Sequence, residues 1–155
     1  RQHEFDGIII AAFSDPGLGK ARKFATCPIF GISESAMRIA TQIADRFTIV
    51  TVGGALCDSI RQNAKKYGFV DNLAAIRILP LTAAQVCAGA LACNIAFEKA
   101  CEQAILEDDI GSIIIGGGPF AGIADSISKN LMVPVLDGVQ CAIELAFRCN
   151  LKAHG

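Results

Sequence analysis

The chain has 155 residues, a formal net charge of −1, and 52% apolar against 19% charged residues. That composition excludes a disordered or polyelectrolyte chain, and the lack of a basic excess argues against nucleic acid as a partner. No apolar run reaches the ~20 residues that a membrane helix needs, so no membrane partner is expected.

Strand and helix signals alternate from the start. Gly7–Phe13 is a continuous β-branched apolar run, the pattern of a strand buried on both faces. Asp15-Pro16 offers a helix cap followed by a first-turn proline, predicting a helix to Phe24. Pro28–Ile32 reads as a strand, and Ser33 with Glu34 opens a helix to about Asp45. Next come a strand over Phe47–Val52 and a helix over Ala55–Tyr67 stopped by Gly68. The remaining strands are Ala75–Leu79, Ser112–Ile115 and Val133–Leu136, and the remaining helices Ala83–Leu106, Phe120–Asn130 and Val139–Cys149. Six β-then-α units with short connections predict an α/β fold, with parallel sheets covered by helices on both faces.

The seven cysteines fit no zinc or disulfide spacing. Cys87, Cys93 and Cys101 fall in one helical segment and Cys141 and Cys149 in another, where cysteine serves as a small core hydrophobe. Free thiols imply a reducing, cytoplasmic location. His3 and His154 sit at the two ends, so no metal site is expected. The chain opens on Arg1 without a signal peptide, which reads as a trimmed start.

The chain also repeats itself. Gly7–Ala36 aligns with Ser112–Ala142 at an offset of about 105 residues, placing Ile8 on Ile113, Ile10 on Ile115 and Ala12 on Gly117. With one added residue, Pro28-Ile29 falls on Pro134-Val135 and Ala36 on Ala142. Such duplication predicts two lobes about a pseudo-two-fold axis, with a ligand at the carboxyl ends of the paired strands. Those ends are Ala12–Ser14 and Gly116–Gly118. Glycines at the second turn let backbone N–H groups face an anion, and Thr51, ahead of Gly53-Gly54, brings a hydroxyl to the same side. The run Gly116–Ala121 also fits G-x-G-x-x-A, with Asp137 placed like a ribose-binding acid, which leaves a dinucleotide domain as an alternative. A Walker-type phosphate loop is excluded, because Gly122 is followed by Ile123-Ala124 rather than Lys-Ser/Thr.

The segments AAFSDPGL (Ala11–Leu18), PIFGISESAM (Pro28–Met37), FTIVT (Phe47–Thr51) and PVLDGVQCAIELA (Pro134–Ala146) resemble the hydantoin racemase branch of the aspartate/glutamate racemase superfamily. The resemblance implies two α/β lobes with pseudo-two-fold symmetry: residues 1–45 a partial first lobe, 46–137 the second, and 138–155 a closing helix returning towards the first. It further implies two earlier β-α units, including an Asn-rich substrate loop. In that family a cysteine from each lobe inverts a carbon beside a carbonyl without a cofactor. Those positions fall on Ala12 and Gly117, neither of which transfers a proton. The resemblance therefore leaves no catalytic residue, and a ligand site of Ala12, Phe13, Ser14, Thr51, Gly116, Gly117, Gly118 and Pro119. It implies an isomerase relative, cofactor-free and compatible with a homo-oligomer, that takes a small carboxylate, amide or ureide. A non-catalytic metabolite-binding protein is the second reading.

Overall fold

The chain builds two parallel sheets. The strands Phe47–Val52 and Ser112–Gly116 are buried on both faces, as β-branched runs paired in parallel should be. The first strand, by contrast, is confined to Ile8–Ile10 and is half-buried rather than covered on both faces. The structure, a computed structural model, describes residues 5–81, 85 and 90–153. Cys87, His3, His154 and the beginning of the helix expected from Ala83 lie outside the described residues.

The elements in chain order are β1 (Ile8–Ile10), α1 (Leu18–Phe24), β2 (Ile29–Gly31), α2 (Ile32–Ile43), β3 (Phe47–Val52), α3 (Cys57–Tyr67), β4 (Leu73–Leu79), α4 (Ala90–Glu107), β5 (Ser112–Gly116), α5 (Ile123–Ile127), β6 (Val135–Asp137) and α6 (Gly138–Ala153). β1 and β2 form one parallel pair, while the second sheet is parallel throughout in the order β4-β3-β5-β6. No helix among the described residues is long and apolar enough to cross a membrane.

The duplication is visible in the hydrogen bonds. Ile8 pairs with Ile29 and Ile113 with Val135, and in both copies the amide of the first residue donates to a proline carbonyl at 2.9 Å, Pro28 in one and Pro134 in the other. Each proline precedes its strand, where its missing N–H breaks no ladder bond. The helices that follow, α2 and α6, pack on each other with Ala36 and Ala142 buried.

Core residues divide by strand parity. Phe47, Ile49 and Ile114 pack with α2, α3 and α6, whereas Val50, Ile113 and Ile115 pack with α4 and α5. Cys93, Cys101 and Cys141 are buried free thiols within these layers, as helical cysteines among Ala and Leu should be, and Cys149 is half-buried. Burial pushes the Cys101 and Cys141 thiols up to about 12.

Two expectations are corrected. Asp15 does not cap α1: the cap position is Gly17 in the left-handed region (φ 70°), with no side-chain hydrogen bond. Asp15 itself has φ 48°, and its amide donates to the Ala12 carbonyl at 2.8 Å. That turn ends β1 at Ile10 and swings the carboxyl group away from α1. The helix expected over Phe120–Asn130 is instead α5 flanked by 3₁₀ turns at Gly118–Phe120 and Ser128–Asn130. Gly122, at φ 88°, interrupts it, and its amide turns to the Asp137 carboxylate.

Ile114 lies fully buried between β3 and β6, packed against the α2/α6 layer. Ile114→Ala is expected to cost about 2–5 kcal/mol, read as a lower urea midpoint at unchanged slope.

Candidate functional site at the paired strand ends

The first turn leaves β1 and is held by groups distant in sequence. The Asp15 carboxylate accepts from the Ser33 amide at 3.1 Å and the Glu34 amide at 2.8 Å, so it serves as a cap for α2. Tyr67 donates its hydroxyl to the same carboxylate at 3.0 Å, and Asn63 Nδ2 donates to the Ser14 carbonyl at 3.0 Å. Asn63 and Tyr67 stand four residues apart on one face of α3, beside buried Ile60 and Ala64. The ring of Phe13 enters the core next to Ile114, in a slot left by two glycines. A Cβ on Gly116 would approach Phe13 Cε1 to 3.1 Å, and one on Gly138 would lie 3.4 Å from Cε2.

The second turn follows β5. Thr51 donates its hydroxyl to the Gly116 carbonyl at 2.8 Å, pinning the end of β5 to that of β3. Gly117 takes φ 137°, and a Cβ there would meet the Phe120 ring at 2.6 Å. The amides of Phe120 and Ala121 bond to the carbonyls of Gly117 and Gly118, and Pro119 has none. Among the described residues, the amides of Gly117 and Gly118 have no partner in the turn. Asp137 accepts from the amides of Gly122 (2.5 Å), Val139 (2.7 Å) and Gln140 (3.3 Å). Three backbone donors commit that carboxylate to the α6 cap and the second turn.

The turns meet. A Cβ on Gly118 would lie 2.5 Å from the Ala11 carbonyl oxygen, so the backbones of the two strand ends are in contact there. Of the eight residues singled out in the sequence, the structure buries Phe13, Thr51 and Gly116. It leaves Ala12, Ser14, Gly117 and Gly118 half-exposed and Pro119 exposed. Sequence reasoning missed Asn63 and Tyr67. The available signal was polarity on the inward stripe Ile60-Asn63-Ala64-Tyr67 of an amphipathic helix. Chemically, the arrangement offers two backbone amides and small residues on a rigid floor. Among the residues at the two turns, Asp15 and Asp137 are the carboxylates, and both are occupied by backbone donors.

The family model described as Asp/Glu/hydantoin racemase matches residues 1–146. The hydantoin racemase of Pseudomonas sp. (strain NS671) is 32% identical over 141 residues, which is 91% of this chain and 57% of that protein. The structure of allantoin racemase from Klebsiella pneumoniae superposes with a TM-score of 0.92 at 35% identity, over 99% of this chain and 62% of that one. Allantoin racemase from Pseudomonas fluorescens gives 0.89 at 26% identity, over 96% and 63%. This chain therefore spans between 57% and 63% of the length of these relatives.

Burial is the largest influence on Asp15 and raises its carboxyl above the ordinary 3.8, against the opposing pull of the Glu34, Ser33 and Tyr67 hydrogen bonds. The unfolded chain then releases this proton at lower pH than the folded one, so the Asp15 contribution to stability falls as pH rises through the raised value. In Asp15→Asn that contribution is absent. The stability difference between variant and parent should shift in the variant's favour from acid towards neutral pH, as read by urea midpoints across a pH series. A pH-independent difference would contradict this assignment.

Proposed function

Since this chain belongs to the Asp/Glu/hydantoin racemase family, we propose that it binds a small carboxylate, amide or ureide at the two apposed strand ends, between a partial first lobe (1–45) and a second lobe (46–137), with 138–155 returning to the first. The contact of Gly118 with the Ala11 carbonyl carries this reading, because it makes one site of two turns more than 100 residues apart. Ala12, Ser14, Gly117, Gly118 and Pro119 line the site. Phe13, Thr51 and Gly116 form its floor. The amides of Gly117 and Gly118 hold the anionic or carbonyl end of the ligand, and the Ser14 hydroxyl meets its other end.

Binding without inversion is the expected activity. The resemblance places the family's proton-transfer thiols at Ala12 and Gly117, and neither residue has an ionisable group. Packing supports a glycine at the second position: a side chain there meets both a φ of 137° and the Phe120 ring. Loss of a general acid–base group typically costs about 10²–10⁴-fold in rate. The dinucleotide alternative loses ground because three backbone amides already occupy Asp137, the proposed ribose partner.

Calorimetry with allantoin, hydantoins, aspartate and glutamate is expected to give a dissociation constant of about 1 mM or below for at least one compound. Gly117→Val, whose side chain collides with the Phe120 ring at a backbone φ that disfavours any side chain, is expected to abolish it by displacing the second turn. No deuterium should enter the α-carbon of any of these compounds from solvent. Exchange above background would show a proton-transfer group that this reading denies, and NAD binding that is lost in Asp137→Asn would restore the dinucleotide reading.

A further inference from the structure

Away from the strand ends, a cavity of about 430 Å³ opens where α1, β2, α2 and α6 come together. Arg22, Arg38 and Arg148 reach it from three helices, and Phe30 and Leu145 supply apolar wall. Glu34 is the one carboxylate in this lining. It is nearly buried and pairs with Arg22 Nη2 at 2.7 Å and Arg38 Nη2 at 3.0 Å. Arg22 is further fixed by Nε and Nη2 donating to the Ile29 carbonyl at 3.0 and 2.8 Å. Arg38 and Arg148 are engaged more lightly. In the contacts of the described residues, each uses only Nη2, towards Glu34 and Glu144 respectively. A guanidinium carries five N–H donors, so both present most of theirs to the cavity or to water. Counting Glu144, which pairs with Arg148, three positive charges stand against two negative ones at this cavity, in a chain whose net charge is −1.

We propose that this cavity is a second binding site, for a small organic phosphate monoester. Glu34 on Arg22 and Arg38, and Glu144 on Arg148, leave one positive charge in excess and most N–H donors of Arg38 and Arg148 free, a donor set that the three terminal oxygens of a phosphate fill more completely than the two of a carboxylate. Arginine's fork suits phosphate oxygens, and both Arg38 and Arg148 have free nitrogens for it. The phosphate lies between Arg38 and Arg148, across the α2/α6 seam, and the organic body rests on Phe30 and Leu145. The volume falls within the range of small-molecule pockets, far larger than inorganic phosphate alone requires. This site is independent of the strand-end reading.

The probe is phenyl phosphate, titrated into the chain by calorimetry beside inorganic phosphate and benzoate. Phenyl phosphate should bind with a dissociation constant of about 1 mM or below and more tightly than either control. The double variant Arg38→Gln/Arg148→Gln, its fold checked by circular dichroism, should weaken binding by ~10-fold or more. Bound phenyl phosphate should also slow alkylation of Cys149, which lines the cavity. No heat at ~10 mM, equal affinity for benzoate, unchanged affinity in the double variant, or undiminished Cys149 alkylation would each overturn the assignment.

Discussion

The Asp15 carboxylate at the start of α2 is the contact on which the rest of the site depends. A helix N-terminus presents unpaired amides and the positive end of the helix dipole, and α2 receives its cap from a residue 18 positions upstream of Ser33. One carboxyl group therefore fixes the turn after β1 against the helix after β2. It occupies the space where a side chain on Gly31 would stand, which makes glycine necessary at the end of β2. Asn63 and Tyr67 add a second tie, from α3, so the first turn is secured to a helix that packs on the four-stranded sheet. Burying the acid has a cost, visible in its raised pKa. The three donors around it offset part of that cost.

The two copies of the repeat reach equivalent ends by different means. In the first, an aspartate in the turn reaches forward to the next helix. In the second, the aspartate sits at the end of the second strand, caps its own helix and holds the preceding turn through Gly122. Strand register and the proline-carbonyl bond are shared, and the loop chemistry is not. Short-range pairing rules constrain a strand pair closely, whereas a turn needs only some donor for each acceptor. That freedom lets one copy carry Phe13 into the core while the other keeps its turn bare with glycines.

Much of this architecture is legible in the sequence. Six apolar strand runs, alternating with amphipathic or small-residue helices, specify parallel pairing because nothing else covers both faces of each strand. The offset of the repeat correctly matches Ile8 with Ile113 and Pro28 with Pro134, since both features are local patterns. Asp15 was misread for a reason of the same kind. Asp-Pro before a helix is a strong local cap signal, but the residue takes a left-handed conformation and its side chain finds a better-placed set of amides 18 residues away. The break at Gly122 and the roles of Asn63 and Tyr67 likewise depend on partners that only tertiary packing supplies. The burial of Thr51 and the commitment of its hydroxyl to the Gly116 carbonyl follow from sheet registry rather than from any motif.

The buried thiols give the molecule internal clocks. Only a thiolate reacts readily with an alkylating or disulfide reagent. Cys101 and Cys141, both sealed and both pushed up to about 12, hold almost none in the closed state. They sit in opposite layers, Cys101 on the buried face of α4 and Cys141 on α6 at the α2–α6 seam. Each reacts when its own layer opens, so their two modification rates time the breathing of the two sides of the sheet separately. If the layers open as one unit the rates coincide, and if α4 lifts first Cys101 reports it alone.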